Sequence, residues 1–424
     1  MSATPPTTSR MNAAPPTAAP PNTVPPETTP RHRTSLPGVG GWPFLITSFV
    51  GRMPSSMVQL GYLMVLAADG RGMATAGLAV AAAGLGTAVG APVVGRLVDR
   101  FGPLPVLASA TIVSLAGQLT FLALLLNHAS SWPMLACAGL VGAANPQVGP
   151  VARTRWSQLA VRTNNPGLVS RALGYEGMVD ELGFVVGPVL ASLLVSLAGA
   201  VPATIAIAVA TLVGQGAFLA HLAADRDGWR ATHFEHHQTS DGGRVGFSVV
   251  WPMLATLGVG TLFGATQTGL TSVFDQRGTP ELTGLVYACV GVGSGVASLL
   301  VGRVSARIPV WARVLTGSVL MGIGALGLLQ LPPAGLAAVF ALVGGAGAGA
   351  CLVSAFTWME RIAPRERMAT MMTVLATCIT LGVSAGAAVA GRLAEVLAHS
   401  FWPVLVASGL AALASLGMLR NVSN

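Results

Sequence analysis

Four ionisable residues lie where an apolar chain has least use for charge: Arg52 in one hydrophobic run, and Glu176, Asp180 and Glu181 in another. A charged side chain at the centre of a bilayer helix costs about 2.5–3.5 kcal/mol even by the lower estimates, so such residues face a wet cavity or a partner. Arg52 falls about ten residues into its run and Asp180 about ten into its own. At a rise of about 1.5 Å per residue, both sit roughly 15 Å from the same edge, near the midplane. Glu176 and Asp180 share a helix face by their i, i+4 spacing, and Glu181 points about 100° away. These positions predict that Arg52 pairs with Asp180 or Glu181. Burial disfavours a carboxylate's charge and a nearby arginine favours it, so parting the pair would couple protonation to access and make one acid a proton carrier. The same residues also read as a static buried ion pair that fixes helix packing.

The elements that must hold these residues are membrane helices. Only 9% of the residues are charged and 52% are hydrophobic, against about 25% charged in a soluble domain. Runs long enough to span the hydrocarbon, which takes about 20 apolar residues, lie at about 42–67, 73–96, 104–126, 131–156, 172–197, 202–223, 248–273, 281–303, 310–330, 334–358, 368–396 and 401–420. They are too long and continuous for barrel strands, so backbone groups satisfied without water require an all-α membrane protein of twelve transmembrane helices.

The chain is doubled. Gly77, Leu78, Ala81, Gly84, Gly86, Val89, Val94, Gly95, Arg96 and Arg100 recur at one constant offset as Gly284, Leu285, Ala288, Gly291, Gly293, Val296, Val301, Gly302, Arg303 and Arg307. A parallel repeat of membrane helices places a substrate site between two halves. All 23 lysine-plus-arginine positions are arginine. A Walker A loop and a Schiff-base enzyme both need lysine, so the driving energy is expected from a gradient and not from ATP.

An even number of spans puts both termini on one side. Arg96, Arg100, Arg153, Arg155, Arg162, Arg171, Arg226, Arg230, Arg244, Arg303, Arg307, Arg313, Arg361, Arg365 and Arg367 fall on that side, and only Arg71, Arg277 and Arg392 near the other. By the positive-inside bias both ends are cytoplasmic, in a bacterial plasma membrane. The net charge of +8 is then a topology signal and requires no nucleic acid. Residues 1–41, rich in Pro, Thr and Ala, read as a disordered cytoplasmic tail; 42–223 and 248–421 read as two six-helix bundles; 224–247 reads as a polar cytoplasmic linker. His233, His236 and His237 in that linker lack the cysteine or paired carboxylate that would complete a metal site. Cys137, Cys289, Cys351 and Cys378 are isolated in four different spans, where they read as small packing residues. The Gly344–Gly349 run reads as close helix packing. No cofactor is expected, and no enzyme motif is present.

Two motifs carry a resemblance. The second span ends Gly95-Arg96-Leu97-Val98-Asp99-Arg100-Phe101-Gly102, which closely resembles the G-x-L-A-D-R-x-G-R-R loop of the major facilitator superfamily. The resemblance, over about 380 residues, implies a major facilitator fold, two pseudo-symmetric bundles of six helices around a central cavity. It also implies a conformational latch at Gly95, Asp99, Arg100 and Gly102, facing the start of the eleventh helix at Pro364-Arg365-Glu366-Arg367. A carboxylate there can pair with arginines and with a helix N-terminus. Pro103 and Leu104 replace the family's two basic residues, and Ala306 stands where the second copy would carry its acid. In the fifth span Gly174, Gly183, Gly187 and Pro188 reproduce G-x8-G-x3-G-P, similar to the superfamily's drug and proton antiporters, although a packing role explains the glycines as well. Ala138 stands where those antiporters often carry an arginine.

The expectation is a monomeric secondary transporter that exports a small amphipathic molecule in exchange for protons by alternating access. Gln59, Tyr62, Asn145, Gln147, Gln267 and Trp358 are candidate cavity residues, or equally interhelical glue. Uptake of a sugar or organic acid on the same fold, and a membrane sensor that transports nothing, are the alternatives.

Overall fold

The computed structural model describes residues 35–164, 166–225, 246–303, 308–363 and 368–423, and every regular element among them is helical. The first three spans are Trp42–Ala68, Gly72–Phe101 and Pro103–Leu126, the fourth comes in two pieces, Ser131–Ala143 and Val148–Arg162, and the fifth and sixth are Pro166–Ala198 and Ala200–Ala224. The second half runs through Val250–Gln276, Glu281–Arg303, Val310–Leu329, Ala334–Ile362, Met368–Leu393 and Trp402–Ser423, the seventh to twelfth spans. Apolar cores fill each bundle of six, one around Tyr62 and Phe121 and one around Phe274 and Phe401. The His-bearing linker and the Pro364–Arg367 segment lie outside the described residues.

Ten helices among the described residues are long and apolar enough to cross a membrane. The first and fourth spans are the two that fall outside that set. The first carries Arg52, Ser55, Ser56 and Gln59 along its middle. The fourth is cut into pieces of 13 and 15 residues at Asn145-Pro146-Gln147, because Pro146 has no N–H to donate and disfavours a helical Asn145 before it. Polar side chains cover the cut: Ser55 donates to Asn145 Oδ1 at 2.6 Å, and Gln147 Nε2 donates to the Asn145 carbonyl at 3.0 Å. Irregular backbone at membrane depth survives only with such partners or beside a cavity.

The doubling read from the sequence is a doubling of contacts. Gly86 admits the backbone of the fourth span at Gly139 and Ala143, and its mate Gly293 admits the tenth at Leu342 and Ala346. In the same way Gly142 meets the Ala83 carbonyl, and Gly345 meets that of Val290. Loops repeat too: Arg71 donates to the Ala129 carbonyl at 2.5 Å, and Arg277 to the Leu331 and Pro332 carbonyls at 2.5 and 2.8 Å. His128 and Leu331 in those loops both take a positive φ, 48° and 49°. Two of the three arginines that stand apart from the termini's side are therefore loop staples bonded to backbone carbonyls, Arg71 with Asp69 as its ion-pair partner besides.

The halves touch at the end of the spans away from the termini. Gly77 of the second span packs on Ala387 and Gly391 of the eleventh. Its mate Gly284, in the eighth, packs on Pro188 and Ser192 of the fifth, with an added Cβ 2.6 Å from the Pro188 carbonyl. Ser192 donates to the Pro280 carbonyl at 3.0 Å and accepts from the Gly284 N–H at 3.1 Å. The opposite end, where Asp99 lies, has no such glycine-on-backbone contact between halves among the described residues.

One expectation is corrected. Residues Leu36–Gly40, assigned to the tail, form a short helix capped by Ser35, because Gly40 leaves room for the Trp156 ring to lie against the chain and the apolar Leu36 and Val39 pack on the same cluster.

An added side chain at a backbone-on-backbone contact must push two helices apart, at about 1–3 kcal/mol. Gly142→Val and Gly345→Val are each expected to lower the melting temperature in detergent by roughly 3–10 °C, and by similar amounts, since the contacts are mates. Gly216→Ala, with open space around it, serves as the control. A shift for one mate and none for the other, read by intrinsic fluorescence, would contradict the paired-contact account.

Candidate functional site

The first, fourth and fifth spans converge on one ion cluster. Arg52 points from the first span into the fifth, where one guanidinium nitrogen binds Glu176 and the other binds Asp180 Oδ1 at 3.0 Å. The i, i+4 spacing of the two acids is what lets one guanidinium bridge them. Glu176 has no exposed surface, and its second oxygen accepts from the Trp156 indole at 2.8 Å. Trp156 comes from the second piece of the fourth span, as does Arg153, which binds Asp180 Oδ2. The chain of contacts runs Trp156, Glu176, Arg52, Asp180, Arg153.

Its members differ in access. Asp180 keeps 36% of its side-chain surface and Arg153 41%, while Arg52 keeps 9% and Glu176 none. Asp180 and both arginines line a cavity of about 180 Å³ with the cut in the fourth span, Asn145 to Pro150, and Gly183 of the fifth. Ser55 and Asn145 also wall a smaller chamber of about 70 Å³ inside the first bundle, whose uncharged lining includes Gln59, Gln118 and Gln215. Gln118 bonds Ser114 and Thr211 there, and the buried Gln215 Oε1 has no partner.

The other predicted residues scatter. Gln59 lines the chamber, and Asn145 and Gln147 form the cut. Tyr62 is buried and stacked on Phe121, with ring centroids 4.3 Å apart, so it belongs to the bundle core and not to a cavity wall. Gln267 and Trp358 are buried in the second half with unpartnered side-chain nitrogens. Gly183 and Gly187 bring the fifth span against Ser56 of the first, the turn after Arg52, and Pro188 meets the eighth. The fifth-span motif therefore sets the distance across which Arg52 reaches its acids. Gly174 lies in the same helix, and the side chain of Glu181 is outside the described residues.

At the latch, Gly102 caps the second span with φ 85°, a conformation that favours glycine. Asp99 and Arg100 are exposed, Arg100 rests on the Phe101 ring at 5.1 Å, and Gly95 is in open space. Among the described residues Asp99 has no ion-pair partner.

Arg153 and Trp156 escaped the sequence reading. Both sit near the end of an apolar run, where an arginine reads as a topology signal and a tryptophan as an interface anchor. Pro146 held the missing information: the cut re-aims the second piece toward the fifth span.

The family profile described as Major Facilitator Superfamily matches residues 44–387. A search of curated proteins finds no match. Among solved structures the chain is similar to a mutant of the nucleoside transporter NupG, with TM-score 0.68 and 13% identity over 89% of this chain and 98% of that one. It is equally similar to a bacterial homologue of the iron transporter ferroportin in an inward-facing state, with TM-score 0.68 and 14% identity over 90% and 99%. The POT family transporter PepTSo gives TM-score 0.62 and 14% identity over 90% and 97%.

The two acids are expected to respond differently to loss of an arginine. Arg52→Ala leaves Glu176 buried with an indole alone, and stranding a buried charge costs about 3–5 kcal/mol. Arg153→Ala leaves Asp180 both Arg52 and solvent, for a cost of about 1 kcal/mol or less. Unfolding of the purified variants in detergent measures both, and equal losses would show that Glu176 is not held as described.

Proposed function

Because the chain belongs to the major facilitator superfamily, we propose that it moves a small amphipathic molecule across the membrane by alternating access, with proton movement coupled through Asp180. The observation that carries this reading is the sharing of Asp180 between Arg52 and Arg153 on a cavity wall. Glu176 is fully enclosed and bonded at both oxygens, which suits a fixed anchor. Asp180 is reachable from the cavity, and a proton on it weakens its hold on two spans at once. Outward transport is the direction that the fifth-span motif favours. A bacterial plasma membrane with both termini cytoplasmic, and a monomer as the working unit, complete the proposal.

The contacts at Gly77 and Gly284 close the end away from the termini, so with cytoplasmic termini this conformation is the inward-facing one. In the outward-facing state Asp99 is proposed to meet the start of the eleventh helix.

Proteoliposomes holding a pH-sensitive dye test the coupling, with candidate solutes added under an imposed pH gradient. Asp180→Asn is expected to lose solute-dependent proton flux at least about tenfold, a typical share for a positioned proton-transfer group, and Glu181→Gln to keep it. Full flux in both single variants and in the double variant would remove the carrier. Asp99→Asn is expected to slow turnover severalfold while solute affinity changes little; an altered affinity with unchanged turnover would refute a latch.

A further inference from the structure

The charges around the larger cavity are unequal in reach. Among the described residues its charged lining consists of Arg52, Arg153 and Asp180. Glu176 lies behind Arg52 with both oxygens occupied, so it balances Arg52 and offers nothing to a solute. Asp180 is left to serve both guanidinium groups. Arg153 has Asp180 as its ion-pair partner, keeps 41% of its side chain exposed, and stands one turn into a helix of 15 residues whose first residues, Val148 and Gly149, also line the cavity. The positive end of that helix adds to the positive side of the balance.

Three kinds of head group meet this wall differently. A cation meets two guanidinium groups and a positive helix end, and the one acid within reach among the described residues is already bonded to both arginines. A neutral hydroxyl gains no charge-assisted bond. An oxyanion gains the two-pronged geometry that guanidinium groups favour. We infer that the transported molecule is an amphipathic acid, whose carboxylate or phosphate head group takes the place of Asp180 on Arg153. This rests on the transport reading of the same site and adds the substrate's chemistry to it.

The sign of coupling follows from the same four groups. Among the described residues, the charged groups facing Asp180 are Arg52 from the first span, Arg153 from the fourth and Glu176 one turn away on its own helix. The eighth span, packed against the fifth, has acidic and basic residues only at its ends, Glu281 and Arg303, with Tyr287 and Cys289 between them. With Asp180 ionised the four balance, and an added anion leaves one negative charge unmatched. With Asp180 protonated, the anion restores the balance. Proton and acid favour one another's binding and travel together, which departs from the exchange implied by the fifth-span resemblance; outward flow then runs on the acid's own gradient.

Four probes with one tail isolate the head group: hexanoate, hexyl phosphate, hexylammonium and hexanol, titrated into the purified full chain while its melting temperature is followed. Hexanoate or hexyl phosphate is expected to stabilise saturably, the better of the two naming the head group, with hexylammonium and hexanol inert. Arg153→Gln is expected to weaken the acid at least about tenfold, the loss of a hydrogen bond between charged partners. Arg153→Lys keeps the charge without the fork and serves should the glutamine variant not fold; it too is expected to weaken the acid. Asp180→Asn, a fixed mimic of the protonated acid, is expected to tighten binding about tenfold by removing a like charge. Stabilisation by hexylammonium or hexanol equal to that by the acids, no stabilisation by any probe, wild-type affinity in both Arg153 variants, or weaker binding in Asp180→Asn would each overturn the inference. Acid binding without flux in vesicles would sink the transport reading alone, and proton-coupled flux of a cation would sink this one alone.

Discussion

A guanidinium group inside a helical bundle cannot be left to water, and the first six spans are arranged around that constraint. Arg52 needs acids at its own depth, and it reaches them because Gly183 and Gly187 let the fifth span approach Ser56. Glu176 in turn needs a second donor. The Trp156 indole supplies it, and can do so because Pro146 cuts the fourth span and sets the second piece on its own course. Burying these charges is offset by pairing, and in this cluster only Arg52 Nε is buried without a partner among the described residues. That explains why one residue fixes the separation of two spans and depends on the break in a third.

The scaffold is doubled and the chemistry is not. Gly86 and Gly293, Gly142 and Gly345, and Arg71 and Arg277 perform the same task in each half. The seventh span has no arginine in its interior, and the eleventh carries no acid at all. What the second half contributes near its core is uncharged: Gln267, Ser354 and Trp358, each buried with an unpartnered polar atom. Small residues at helix contacts preserve a shape that both halves need. Charged residues answer to a site that one half suffices to hold.

Much of this was legible before any coordinates. Long apolar runs fix the helices because a bilayer offers the backbone no other partner, and the repeat fixes the two bundles because mates must find equivalent neighbours. The proximity of Arg52 and Asp180 followed from their equal depth together with the helix arrangement that the family resemblance implies. Depth says nothing of azimuth, however. Glu176 became the fully buried partner because it lies on the face turned to Trp156, and the sequence holds no mark of which face that is until the cut at Pro146 is recognised. Tyr62 shows the same limit from the other side: a polar aromatic in the first span suits a cavity wall or a core equally, and its stack on Phe121 decides for the core. Arg153 was left off the site because a charge near the end of an apolar run has an ordinary explanation in topology.

The glycine contacts between the halves connect this static picture to movement. At Gly77 and Gly284 two helices meet closely on each other's backbone, and small side chains such as Ser192, Ser384 and Ala387 fill the contact beside them. Among the described residues the polar bonds across this surface are the few made by Ser192. The charged cluster lies within one half, so the proposed rigid-body swing of the halves would leave it together. An equilibrium between two packings can then be biased by events too small to move a helix themselves. Under the proposed coupling, a proton on Asp180 is such an event: it would alter how firmly Arg52 and Arg153 tie the fifth span to the first and fourth, and the fifth span bears Pro188 and Ser192, which meet the eighth.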